Sequence, residues 1–140
     1  MEDIEITFPG GKRVDARVGA YVVHTDQPVD AGGDGTAVAP FDLFLASLGT
    51  CAGLYVLAFC QARGLSTDGL ALHQRVEVDP ATKLPRHIRI EVALPSSFPD
   101  KYRTAVLRAA EGCKVKKTIA AAPSVEVALA QADEPLVKAS

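Results

Sequence analysis

The chain has 140 residues, with 15 Lys and Arg against 17 Asp and Glu, no Trp and one Met. That length suits one domain with a modest aliphatic core, and a net charge of −2 offers no basic surface to nucleic acid or an anionic membrane. Three cysteines, an odd number with no charged-then-apolar leader before them, argue against a secreted disulfide framework and make the cytoplasm the expected location.

Ile4, Ile6 and Phe8 alternate with polar residues as in a half-buried strand, and Pro9-Gly10-Gly11 turns the chain into a second run, Val14, Ala16 and Val18. Tyr21 to His24 form a short third strand. Thr25 to Val38, rich in Gly, Asp and Pro, reads as a mobile loop. Its glycines do not follow a strand and open a helix at phosphate-site spacing. Pro40 suits the first turn of a helix, Asp42 its positive end, and Gly64 its stop. Between them, Leu43 to Ala62 is 20 residues without a charge, enough to cross a bilayer, with Gly49 and Gly53 at small-xxx-small spacing. A helix apolar all round is also what a fully buried central helix looks like, and that is the reading taken here.

Two strands follow. Leu70, Leu72, Val76 and Val78 alternate with His73, Arg75, Glu77 and Asp79; Ile88, Ile90, Val92 and Leu94 alternate with Arg89, Glu91 and Ala93. The Pro80 to Pro85 connection makes them an antiparallel hairpin with one apolar face. A helix opens near Pro99, with Tyr102, Val106, Ala109, Ala110 and Cys113 on one face and Gly112 ending it. Val115 to Ala121 is a further short helix. Val125, Val127 and Leu129 read as a last strand, and the tail over 131–140 as loose. The sum is one α+β domain over 1–140: an antiparallel sheet wrapped around a buried helix.

The chemistry-bearing residues are the thiols. A thiolate attacks an electrophile such as a peroxide, and a second thiol can trap the oxidised sulfur as a disulfide. Cys51 and Cys113 are the candidates. Cys60, nine residues after Cys51, falls on the opposite side of the helix and roughly 13 Å along it, so it reads as a packing residue. Cys51 lies among Gly49, Thr50, Ala52 and Gly53, which leaves room for another backbone or a ligand. Buried among apolar groups, its thiol would be inert, so reactivity demands a cation that its own helix lacks. Arg13 and Arg17 are the better candidates; Lys114, Lys116 and Lys117 read as a solvated face. His24, His73 and His87 lie on separate strands, with no metal-ligand pairing.

The stretch Ala39-Pro-Phe-Asp-Leu-Phe-Leu-Ala-Ser-Leu-Gly-Thr-Cys51 and the second context, Glu111-Gly-Cys113-Lys-Val-Lys-Lys-Thr-Ile, resemble the OsmC-like family, which includes the organic hydroperoxide resistance proteins. The order of hairpin, Cys helix, long hairpin and second Cys matches along nearly the whole chain. The resemblance implies an intertwined homodimer with two sites at the subunit interface, and a stress-response role as an antioxidant thiol-dependent peroxidase. It implies that Cys51 is the peroxidatic and Cys113 the resolving cysteine, with no bound cofactor and an external dithiol, such as a lipoylated protein, as reductant. An arginine from an early strand, matched better by Arg13 than by Arg17, would stabilise the thiolate, held by a carboxylate near the start of the Cys helix. Here the chain departs from the family's pattern: Phe41 follows the Pro where the well-studied members have Glu, and Asp42 comes one later, about 100° around the helix. That form is closer to a less characterised branch. Phe41, Phe44 and Tyr55 would line the substrate side. Two alternatives are a non-catalytic dimer of the same fold, binding a small apolar molecule or a sulfur carrier, and a single-span membrane protein.

Overall fold

The computed structural model describes residues 3–130. The chain is a mixed α+β structure that divides into two compact units. The first comprises residues 1–44 and 124–140, and its described part holds a three-stranded antiparallel sheet in the order β1 (Ile4–Gly10), β2 (Arg13–Val18) and β3 (Tyr21–Thr25). The hairpin expected around Gly10-Gly11 is there, with both glycines at positive φ, and a register shift lies between Thr7 and Gly10.

The Thr25 to Val38 stretch is not the open tether its composition suggested. Asp26 is wholly buried and accepts hydrogen bonds from the Gln27 N–H at 2.8 Å, the Thr36 N–H at 3.1 Å and the Thr36 hydroxyl at 2.7 Å. Its own N–H reaches the Val38 carbonyl at 3.2 Å, and the Gly33 N–H donates to Pro28 across a single 3-10 turn, Val29–Ala31. A buried carboxylate is retained where it is multiply hydrogen-bonded, and here it ties both ends of the loop together. Those donors hold its carboxyl below the ordinary range, the Thr36 N–H first and its hydroxyl next, against the opposing effect of burial.

The second unit, residues 45–123, is built on the helix α1 (Pro40–Ala62), whose first turn belongs to the first unit. Gly64, at a φ of 63°, ends this helix as its position predicted. With α1 are the hairpin β4 (Ala71–Val78) and β5 (Pro85–Ala93), and the helices α2 (Arg103–Glu111) and α3 (Lys114–Ala121). Val56, Phe59 and Cys60 of α1 pack with Phe98 and Val106 in one cluster; Leu48 and Ala52 pack with Cys113 in another, against Ile88 and Ile90 of β5. Cys60 is fully buried, the packing residue its spacing indicated.

Three expectations need correction. First, α1 is not buried all round: Leu48, Ala52, Val56, Phe59 and Cys60 form one buried stripe, while Leu54 is 60% exposed and Tyr55 and Leu57 are each 38% exposed. Among the described residues, the β4–β5 hairpin and α2 pack on the buried stripe of α1. By length and composition α1 also meets the requirement for a membrane span, which a core helix satisfies equally. Second, Val125, Val127 and Leu129 form no strand; they are 86, 94 and 99% exposed. A strand exists only where a neighbouring edge takes its backbone hydrogen bonds, and no described residue offers one. Third, Cys113 is not on the face of α2; it stands between α2 and α3. The tail over 131–140, read as loose, lies outside the described residues.

The polar exception in the hairpin is Gln74, on the inward face of β4. Its Nε2 donates to the Leu45 carbonyl at 3.0 Å, and its Oε1 is buried without a partner among the described residues. A Cβ at Gly49 would lie 2.9 Å from that oxygen, so the glycine's place on α1 lets the strand approach.

Candidate active site

Cys51 lies on α1 between the buried stripe and the exposed face, and packs against the Leu48, Ala52 and Cys113 cluster. Cys113 is 1% exposed and occupies the N-cap of α3 with φ −45° and ψ 121°. Its sulfur accepts the Lys116 N–H at 3.4 Å, the role usually taken by Ser or Asp at a helix start. It also faces the Leu48 carbonyl at 3.7 Å. All three cysteines are free thiols.

The arrangement brings two sulfurs together at a helix N-terminus. The Val115 N–H is the largest influence holding the Cys51 thiol below its ordinary pKa, followed by the Cys113 thiol. Burial opposes them, and the Lys114 N–H and ammonium assist. The single Cys113 proton has two acceptors in reach, and an ionised Cys51 is the stronger, because hydrogen bonds to charged groups are shorter and roughly twice as strong. The amides at the start of a helix are oriented for an anion, which is why a cysteine beside them ionises more readily.

Cys51 and Cys113, singled out in the sequence, pack in one cluster; what surrounds them was missed. The lysines beside Cys113 read as a solvated face, yet Lys114 and the backbone amides of α3 act on Cys51. The signal was present: a cysteine directly before a new helical run is placed to cap it, and whatever faces that cap meets the exposed N–H groups. Lys114→Pro tests this cheaply. Proline suits the first helical position, and Cys113 already has the extended ψ that a following proline requires. Removing that N–H and its charge is expected to raise the Cys51 pKa and slow its alkylation by iodoacetamide at neutral pH several-fold, with Lys114→Ala showing a smaller change. Rate-against-pH profiles that coincide with wild type for both variants would dismiss the contribution of α3.

Of the remaining sequence candidates, Tyr55 lies on α1 in the second unit, partly exposed, and Arg13, Arg17, Phe41, Asp42 and Phe44 belong to the first. Arg13 donates from Nε to the Gly10 carbonyl at 3.3 Å and lines a hollow of about 400 Å³ with Asp15, His24 and Thr36. Asp15 and His24, opposite each other on β2 and β3, are joined at 2.9 Å. Arg17 pairs with Glu5 at 3.6 Å, both exposed. Asp42 is exposed in the first turn of α1, and the rings of Phe41 and Phe44 stack with centroids 5.8 Å apart.

The second unit also contains an apolar hollow of about 540 Å³, lined by Leu48, Ala52, Ile90, Leu107 and Ile119 among others, with Arg86, Glu111 and Lys116 as its charged members. No cysteine lines it.

Comparison with known proteins agrees with this architecture. Residues 33–128 match the family model for OsmC-like protein. Among solved structures, a protein assigned to osmotic stress induction and the detoxification response in Psychrobacter arcticus is 22% identical with a TM-score of 0.71, over 84% of this chain and 88% of that one. An OsmC-like protein from Mycoplasma pneumoniae is 13% identical with a TM-score of 0.65, over 86% and 87%. An organic hydroperoxide resistance protein from Legionella pneumophila is 18% identical with a TM-score of 0.55, over 85% and 88%. No curated protein matches the sequence.

Proposed function

Because this chain belongs to the OsmC-like family, we propose that it is a thiol-dependent peroxidase that reduces organic hydroperoxides through Cys51 and Cys113. The observation that carries the reading is the meeting of these two sulfurs at the N-terminus of α3. The Cys51 thiolate attacks the terminal oxygen of the hydroperoxide; the O–O bond breaks, and the alkoxide takes a proton and leaves as the alcohol. Cys51 is now a sulfenic acid. The Cys113 sulfur attacks it, the S–S bond forms, and the hydroxyl departs with the Cys113 proton as water. An external dithiol of the lipoyl type then reduces the disulfide by exchange.

In this proposal Arg13 supports the thiolate, with Asp42 as its partner, and Phe41, Phe44 and Tyr55 favour an apolar substrate. A homodimer in the cytoplasm is part of the same reading. The bare face of α1 and the unpaired Val125, Val127 and Leu129 support it, since apolar surface of that kind marks an interaction site. The solved relative named as an organic hydroperoxide resistance protein supports the substrate class.

The apolar hollow favours a second reading, a non-catalytic dimer that binds a small apolar molecule, because its volume falls in the range of ligand sites, ~300–1,000 Å³. One experiment separates the two. The purified protein is given cumene hydroperoxide and dihydrolipoate, and hydroperoxide consumption is followed beside the alkylation rate of Cys51. Turnover with a fast-reacting thiol supports the peroxidase. No turnover, with Cys51 alkylated at the rate of a model peptide, leaves the binding protein.

A further inference from the structure

Gly112 joins α2 to the Cys113 cap with φ −68° and ψ −5°, a conformation any L residue adopts. Backbone freedom therefore does not explain a glycine here, and room does. A Cβ at this position would lie 3.3 and 3.4 Å from Cδ1 and Cε1 of Tyr55, and 3.1 Å from the Ala109 carbonyl oxygen. The Tyr55 ring thus rests on the backbone immediately before Cys113. Tyr55 is also four residues after Cys51, so both side chains leave α1 on the same face, one turn apart. One residue touches the segment that carries the second sulfur and shares a helix face with the first.

We infer that Tyr55 is a positioning residue for disulfide formation: its ring, laid on Gly112, holds the Cys113 sulfur beside Cys51. This rests on the peroxidase reading and gives Tyr55 a further role, in the step that forms the disulfide. The Cys113 sulfur is also held by the start of α3, through the Lys116 N–H, and by the Leu48 carbonyl of α1. Without the ring, Gly112 loses its packing against α1, and the peptide before Cys113 is free to shift. The step affected is the one that joins two sulfurs, where displacement of a reacting atom by about 1 Å costs as much as a hundredfold in rate. The Tyr55 hydroxyl has no part in this, so phenylalanine serves equally.

The test compares Tyr55→Ala and Tyr55→Phe with wild type at two steps. Cys51 oxidation by cumene hydroperoxide is followed under single-turnover conditions, and intact-mass spectra partition the product between disulfide and sulfinic acid. Tyr55→Ala is expected to form the disulfide at least about tenfold more slowly, a larger loss than at the oxidation step, accumulating sulfinic acid under excess peroxide. Tyr55→Phe is expected to match wild type in both. Gly112→Ala, which crowds the same contact, is a second variant expected to shift the partition in the direction of Tyr55→Ala. An unchanged partition in Tyr55→Ala, or an equal loss at both steps, overturns the proposal.

Diamide separates this claim from the peroxidase reading, because it closes a thiol pair by accepting their two hydrogens and becoming the hydrazine, with no peroxide involved. Slow closure in Tyr55→Ala with normal closure in Tyr55→Phe upholds the positioning role even where wild type consumes no hydroperoxide. Equal closure in all three proteins overturns it.

Discussion

Cys51→Ser is expected to lower hydroperoxide consumption by at least about three orders of magnitude, to the level of buffer with dihydrolipoate. A thiol near a helix N-terminus ionises more readily than a free one, whereas a serine hydroxyl in the same place stays protonated and does not attack a peroxide oxygen. The Val115 and Lys114 amides and the Cys113 thiol would then surround a neutral oxygen. The pH dependence follows from the same contacts. The Cys51 pKa lies below the ordinary thiol value, so its reactivity is fully present above that ordinary value and persists as pH falls, fading only through the lowered pKa. Cys113→Ser is the informative companion. It should leave the first oxidation intact while Cys51 proceeds to the sulfinic acid under excess peroxide, because no thiol traps the sulfenic acid. Consumption by Cys51→Ser above the background would remove the peroxidase mechanism, whatever Cys113 does.

Gly33→Ala is expected to cost about 3 kcal/mol or more, and to lower the melting temperature by about ten degrees. Its Cβ would overlap the Gln27 carbonyl oxygen and lie 2.6 Å from the Gln27 carbonyl carbon and 2.8 Å from Oδ1 of Asp26. Two of these three atoms are backbone, so no rotamer change relieves the overlap and the turn itself must move. Moving it strains the hydrogen bonds that keep the buried Asp26 ionised. Asp26 gives the effect a pH signature. Its folded-state pKa is lowered, so its contribution is present above the ordinary carboxylate pKa and is lost as pH falls through the folded value. With fewer donors that folded value rises, and acid unfolding of Gly33→Ala should begin at higher pH than in wild type. A melting temperature within about two degrees of wild type, with the same acid limb, would show that the turn yields freely.

Much was legible along the chain because it depends on local periodicity. Alternation at Ile4, Ile6 and Phe8 and at Ile88, Ile90 and Val92 gave antiparallel strands; Pro40 and Gly64 gave both ends of α1; the spacing of Cys51 and Cys60 sent the two to different environments. The same local patterns failed where the outcome depends on a partner. Val125, Val127 and Leu129 alternate as well as any strand here, yet alternation supplies no edge to pair with. An apolar helix reads as buried on every side, yet the described residues bury one stripe of it.

The order of residues alone determined two thiol contexts, a long uncharged helix and hairpins with one apolar face, because side-chain character and turn residues act over a few neighbours. Only the tertiary structure decided that Cys113 caps α3, that the amides of Lys114 and Val115 serve Cys51, that Asp26 closes its loop, and that Tyr55 rests on Gly112. Each joins groups remote in sequence or uses backbone N–H groups, which every residue but proline carries and no residue name marks; their direction is set by the fold.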